Sequence, residues 1–404
     1  MQSFTFDSWP ARKIIMKMQE DAVDDVELPS RYAYVSLMFN VDPWTLLHGL
    51  CLGCSLNDSA TENHRILMVT NDVPEWALGF LRQYWQIHVV PDMSTDHIDP
   101  TLLERIPAGQ YREVEAKMFL KLHVFALPYE KVCFLDLDTI VQHNIDFVFE
   151  LTTPSAVSCA YNIDKYGKQI LNECCLSEGL PLAAGTTFNG GVMVVKPNRA
   201  IFDVLISDVS QKSEYHMPST HPSSWLLKNV MDWYALGADV NMSVRLTKGQ
   251  SFTKEWLQTR MDSIYLVHYM GDGKPHLWWR NEKIEPFRRD WYRQVTLPSS
   301  FDMPTWKMLE RRGIEALRLY SKYACAVMLR AALSTGWSHE VCDTSNITDV
   351  LRSVLLHIVK VSQRAPSRAS LSSRGACKVL KAMCVQVLRF LDFSIQRALR
   401  ALEA

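Results

Sequence analysis

From Tyr32 onward the chain alternates two hydrophobic rhythms. Short apolar runs at 32–39 (YAYVSLMF), 65–70 (RILMVT) and 87–90 (IHVV) are separated by stretches at 43–56 and 74–84 whose apolar residues recur at helical spacing. Runs of this kind read as strands buried on both faces, and their alternation with helices predicts βαβ units. The rhythm continues through a helical segment opened by Arg112 and ended by Pro128, then a strand KVCFLDLDTIV at 131–141. Strands follow at 155–162, 189–198 and 263–271, with helices at 200–210 and 223–234. The expected fold class is α/β, a mixed, mostly parallel Rossmann-like sheet flanked by helices. A sheet of this kind takes its ligand at the carboxyl ends of its strands, where loops and helix N-termini converge.

Outside that body the pattern changes. Residues 1–30 are acidic and weakly patterned and are expected to form a loose leader, 31–300 the folded body, and 301–404 a helical C-terminal extension. The extension reads as helices near 304–333, 346–362 and 376–402, with the Ser/Arg-rich stretch SQRAPSRASLSSRG between the last two. Composition is ordinary for a globular chain, 48% hydrophobic and 22% charged, which excludes collagen-like, low-complexity and disulfide-scaffold classes. The formal charge of −1 argues against a nucleic-acid partner. It hides a split, because residues 303–404 hold 16 basic against 7 acidic residues. Pairing of that basic tail with the acidic body is the default expectation; oligomerisation and peripheral contact with an anionic membrane are the two alternatives.

The ten cysteines sit largely in apolar runs, so they are expected to be reduced and buried, which points to a cytoplasmic compartment. Cys51 and Cys54 form a C-x-x-C, but inside the apolar helix LHGLCLGCSL it reads as core packing rather than a zinc site. Sequons at Asn57, Asn241 and Asn346 keep a secretory, Golgi-type route open if an anchor precedes this chain.

Three stretches carry chemistry. In FLDLD, Asp136 and Asp138 stand two apart, so in an extended strand both carboxylates face one point and suit a hard divalent cation. Alone, a D-x-D is usually a solvated loop end; here four apolar residues lead into it. In HYMGDGKP, His268 adds a nitrogen ligand that favours Mn²⁺ over Mg²⁺, Gly271 and Gly273 open backbone N–H groups to a phosphate, and Lys274 brings a point charge. In FNGGVMVV, two glycines mark a close backbone approach, and Asn189 before them can bond a sugar hydroxyl.

Together, and in this order, these stretches resemble glycosyltransferase family 8, the glycogenin and galactosyltransferase group, over about residues 32–290. The resemblance implies a GT-A fold and a metal-dependent, retaining transfer of a hexose from a UDP-sugar to an acceptor that is a glycan, protein or lipid. It implies Asp136, Asp138 and His268 at the metal, with Asp136 also toward the ribose, and Arg112 and Lys121 toward the nucleotide or donor. Leu37 and Asn40 would lie at uracil and ribose, Asn189 at the donor sugar, and Gly271 and Lys274 at the diphosphate. Where the family carries an Asp-Gln pair beside the anomeric carbon, this chain aligns Ser223 and Ser224, which supply hydroxyls but no charge. A non-catalytic nucleotide-sugar-binding or scaffold protein is therefore the alternative expectation.

Overall fold

The computed structural model describes residues 10–20, 31–93, 98, 117–159, 162–163, 169–170, 181–182, 187–210, 222–243, 263–269 and 274, and from 315 to 330 residues 315–316, 319–320, 322–324, 326–327 and 330. The first apolar run is strand β1 (Tyr32–Met38), and it feeds helix α2 (Pro43–Asp58), after an N-terminal helix α1 (Pro10–Glu20). The α2 start is built from its sequence: the Asp42 carboxylate accepts from the backbone N–H of Trp44 and Thr45, and Pro43 fills a first-turn position that needs no donor. β2 (His64–Val69), α3 (Glu75–Leu81) and β3 (Gln86–Val89) complete the opening right-hand part of the sheet.

A 3₁₀ helix (Met118–Ala126) leads to β4 (Lys131–Leu135) and β5 (Thr139–Val141). Then come β6 (Ser155–Cys159), the short pair β7 (Asn162–Ile163) and β8 (Gln169–Ile170), and β9 (Thr187–Val195). Helices α4 (Arg199–Ser210) and α5 (Pro222–Val230) follow, then β10 (Tyr234–Ala235), β11 (Met242–Ser243) and β12 (Leu266–His268). Seven strands form the central sheet in the order β10-β6-β9-β4-β1-β2-β3; β9 runs antiparallel to both neighbours and the other pairs are parallel. A smaller sheet, β11-β12-β5, stands at its carboxyl edge.

Both faces of the sheet's inner strands are covered, which is why β1, β2 and β4 read as apolar runs, while the edge strand β3 is largely exposed. Tyr34 and Met38 of β1 join one core layer with α2, α3 and the smaller sheet, while Ala33, Val35 and Leu37 join the other with α1, the 3₁₀ helix, α4 and α5. Cys51, Cys54 and Cys133 are buried and in no disulfide, so the C-x-x-C is core packing, as expected. Ala316, Tyr320, Tyr323, Ala324 and Val327 belong to the first layer as well. They pack the described part of the C-terminal segment onto α2 and β12, through hydrogen bonds from Tyr320 to His48 (2.7 Å) and from the Tyr269 hydroxyl to Ala316 O (2.5 Å).

Three local expectations are corrected. Residues 10–20, assigned to a loose leader, form α1, because Ala11 and Ile15 have an apolar layer to enter and Arg12 pairs with Asp232 at 2.6 Å. The segment after Arg112 is 3₁₀ rather than α where it is described, and it ends before Pro128, whose ring disfavours a helical residue ahead of it. The helix expected to reach Tyr234 stops at Val230, since Trp233 turns inward, donates its indole N–H to Leu227 O (2.9 Å) and stacks on Phe188. The chain can then enter β10. The tail helices expected at 346–362 and 376–402 lie outside the described residues.

Candidate active site

The D-x-D motif is a turn. β4 ends at Leu135 and β5 begins at Thr139, and Thr139 closes the reversal by donating both its N–H (3.1 Å) and its hydroxyl (2.7 Å) to Asp136 O. Strand alternation therefore does not aim the two carboxylates; the turn does. The reversal also sets Thr139 opposite His268 in the antiparallel β5–β12 pair, which delivers the imidazole to the same place. Backbone bonds clip each aspartate to a neighbouring strand: Asp136 N–H donates to Gly191 O, and Tyr269 N–H donates to Asp138 O, both at 2.8 Å.

The result is a converging set of ligand atoms. One oxygen from Asp136, one from Asp138 and a nitrogen from His268 all lie within 4.8 Å of one another. His268 Nε2 stands 3.2 Å from Asp138 and 3.9 Å from Asp136. Two lysines flank the group: Lys121 Nζ contacts Asp136 at 2.7 Å and donates to Gly190 O at 3.2 Å, while Lys274 Nζ lies 3.3 Å from Asp138. Burial pushes the Asp138 carboxyl upward, but the Lys274 ammonium leads the opposing effects, and the group is held well below the ordinary carboxylate range. Asp138 in turn raises the Lys274 ammonium above its usual value against the opposing effect of burial. One imidazole and two carboxylates form a mixed N/O donor set that fits a divalent cation such as Mn²⁺.

The two glycines of FNGG explain themselves here. A side-chain carbon on Gly191 would stand 2.1 Å from the His268 ring, and one on Gly190 would stand 2.2 Å from the Ser224 hydroxyl oxygen. They occupy an irregularity of β9, where the β6 partner jumps from Met193 to Asn189. The close approach is thus made by the chain's own imidazole and hydroxyl. Asn189 Oδ1 accepts from Gly191 N–H at 2.7 Å, shaping that irregularity. Ser223 and Ser224, in the first turn of α5, are 2% and 9% exposed.

On the nucleotide side the picture divides. Leu37 is a core residue packed beneath the 3₁₀ helix, whereas Asn40, with a left-handed φ of 56°, sits at the carboxyl end of β1. Its side-chain oxygen accepts from Lys117 Nζ at 3.3 Å, and Lys117 also pairs with Asp72 (3.4 Å) and Asp92 (3.7 Å). Arg112 and Gly271 lie outside the described residues. Sequence reasoning missed this Lys117 cluster, although Lys117 stands one helical turn before Lys121 and shares its segment. It also missed Asn241, which bonds His268 Nδ1 at 2.9 Å; no sequence pattern announces it. The same residue was a sequon candidate, and at 6% exposure against His268 it is closed to a glycan in the folded chain.

Comparisons with known proteins bear out the family resemblance. The family model "Glycosyl transferase family 8" matches residues 107–282. The chain is 27% identical over 265 residues to an uncharacterized protein of Acanthamoeba polyphaga mimivirus, covering 65% of this chain and 87% of that one. It is 22% identical over 281 residues to inositol phosphorylceramide glucuronosyltransferase 1 of Arabidopsis thaliana, covering 64% of this chain and 44% of that protein. It is 21% identical over 270 residues to the UDP-glucuronate:xylan alpha-glucuronosyltransferase 1 of the same plant, 63% against 33%. The chain thus spans between a third and a half of these plant relatives. Among solved structures, the galactosyltransferase LgtC is 14% identical with a TM-score of 0.40, covering 66% of this chain and 98% of that one. GlyE of Streptococcus pneumoniae is 15% identical with a TM-score of 0.40, 71% against 64%. The expected fold class is the observed one: a mixed, mostly parallel α/β sheet flanked by helices.

Proposed function

We propose that this family 8-like chain is a retaining glycosyltransferase that moves a hexose from a UDP-sugar to a glycan, protein or lipid acceptor. The observation that carries the reading is the convergence of Asp136, Asp138 and His268 at the carboxyl edge of the sheet, with Lys121 and Lys274 on either side. A divalent cation held by these three residues, Mn²⁺ or Mg²⁺, supplies positive charge against the donor's diphosphate. Lys274 adds a second positive charge as the bond between the sugar's anomeric carbon and the β-phosphate oxygen breaks, and Gly271 is assigned to the diphosphate from its motif alone. Lys121, held between Asp136 and Gly190 O, keeps the Asp136 carboxylate oriented and in reach of the ribose. Arg112 is assigned to the donor from the family resemblance alone, Asn40 to the ribose, and the β1 backbone at Leu37 to the uracil.

At the anomeric carbon, Asn189 and the Ser223 and Ser224 hydroxyls are the polar groups offered to the sugar. None carries charge. Attack from the face the leaving phosphate vacates, with a phosphate oxygen taking the acceptor's proton, needs no carboxylate base and gives retention. Residues 31–300 form the catalytic body in this reading, and residues 301–404 a basic helical extension to it, with oligomerisation or membrane contact as its further uses. Among the described residues no helix is long and apolar enough to cross a membrane.

The test is a screen of the purified chain for UDP release with Mn²⁺ present and absent. Because the plant relatives' names specify glucuronate, UDP-glucuronate belongs in the panel beside neutral UDP-hexoses. Release from one donor, dependent on the cation, is the expected result. The burial of Ser223 and Ser224 favours a second reading, a protein that binds the nucleotide sugar without turning it over. Donor binding with no UDP release across the panel and a range of acceptors selects it.

A further inference from the structure

His268 is held on two sides, by a glycine of the FNGG stretch and by a residue outside all three motif stretches. Gly191 presses its backbone against the ring, at a distance that no side chain could share, and Asn241 meets Nδ1 with Oδ1 at 2.9 Å. Asn241 sits between a short 3₁₀ turn (Ala238–Val240) and β11, and β11 pairs with β12 so that Ser243 stands opposite His268. Both residues are buried, and Asn241 Nδ2 has no hydrogen-bond partner among the described residues. A buried asparagine with one end of its amide against Nδ1 is placed to decide which nitrogen of the ring carries the proton.

A neutral imidazole has one N–H and one lone pair, and the hydrogen bond at one nitrogen decides which remains at the other. With an acceptor at Nδ1, the proton lies on Nδ1 and the Nε2 lone pair is turned to the two carboxylates, 3.2 and 3.9 Å away. Three electron-rich atoms then face one another, an arrangement that calls for a cation between them. With the amide reversed, Nδ2 would donate to Nδ1, Nε2 would carry the proton, and it would bond Asp138 directly. The site would then close on itself.

We infer that Asn241 is a positioning residue that fixes the His268 tautomer, so that Nε2 is presented to a divalent cation as a ligand. The inference rests on the metal reading proposed above. Such outer partners of a ligating histidine typically change metal affinity by about 10- to 100-fold when lost.

The experiment is calorimetric titration of the full-length chain with Mn²⁺ alone, without donor or acceptor, comparing the unaltered protein with Asn241→Leu and Asn241→Asp. Asn241→Leu removes the acceptor and should weaken Mn²⁺ binding by about 10- to 100-fold, while Asn241→Asp, which can only accept, should bind at least as tightly as the unaltered chain. Equal affinity of Asn241→Leu and the unaltered chain overturns the inference and leaves the metal reading standing. Absence of Mn²⁺ binding by the unaltered chain overturns both. A measurement that needs no variant guards against misfolding: with Cd²⁺ bound to the ¹⁵N-histidine-labelled chain, long-range ¹H–¹⁵N spectra should show the His268 proton on Nδ1. A proton on Nε2 overturns the inference.

Discussion

Two acidic clusters stand at the carboxyl edge of the sheet, built from almost the same residues, and only one of them converges. Around Lys117, Asp72 and Asp92 follow β2 and β3, parallel neighbours whose ends point the same way, and the acids stay 3.4 and 3.7 Å from the lysine with their carboxylates largely in water. Asp72 is occupied locally as well, by the Thr70 hydroxyl. Around Asp136 and Asp138 the chain doubles back on itself, and an antiparallel strand brings His268 against the turn. Here the ligand atoms meet within 4.8 Å, and the lysine on Asp136 is buried. Parallel strands fan their loops outward; a reversal folds them inward. Residue type alone therefore does not make a cation site.

Variants at matching positions should separate the clusters. The largest effect is expected from Asp138→Asn, which should lower cation-dependent UDP release at least about 100-fold, since it removes both a ligand and the partner of Lys274; Asp72→Asn in the same assay should stay within a few-fold. Next, Lys121→Met leaves Asp136 and Gly190 O without their buried partner and should reduce unfolding free energy by about 2–4 kcal/mol in denaturant titrations. Gly191→Ala forces the His268 ring aside and should cost about 1–3 kcal/mol, together with measurable loss of Mn²⁺ binding. Lys117→Met, by contrast, should change stability by under about 1 kcal/mol, because its acidic partners are solvated.

An effect of similar size concerns a histidine away from both clusters. Burial, with His88 and Arg199 nearby, holds the His123 imidazole down to about 4 from 6.5. The unfolded chain takes up this proton first, so the associated stability is whole above pH 6.5 and is lost as pH falls through about 4. Partial exposure of the ring reduces the loss to about 1 kcal/mol. Denaturation curves across that window should flatten in His123→Phe.

The sheet was legible because its inner strands are buried on both faces, so β1, β2 and β4 announce themselves as apolar runs with Asn40, Asp72 and Asp136 just past their ends. Pairing order was less so. Nothing local marks β9 as the strand that runs backwards, or separates β4 from β5 inside FLDLDTIV; a turn of three residues is hidden when two of them are the functional aspartates and the third is leucine. The meeting of Asp136, Asp138 and His268 with Lys274 alongside followed from motif chemistry, whereas Lys121 was implied toward the nucleotide or donor by the family resemblance alone. The support behind them did not, because Asn241 and the Gly191 contact depend on pairing between segments far apart in the chain.

Tyr320 and Tyr269 bear on how this molecule comes into being. Protein is made from its N-terminus, and the α2 residues that Tyr320 covers are translated some 270 positions before it. A nascent chain can assemble the central sheet with His48 and Cys51 still facing water. It can also deliver His268, yet the Tyr269 hydroxyl has no Ala316 carbonyl to bond until a further length of polypeptide has left the ribosome. Order of synthesis thus places the sealing of the wall behind Asp138 near the end, and a stalled ribosome would display a sheet with its motifs in place and one apolar flank bare.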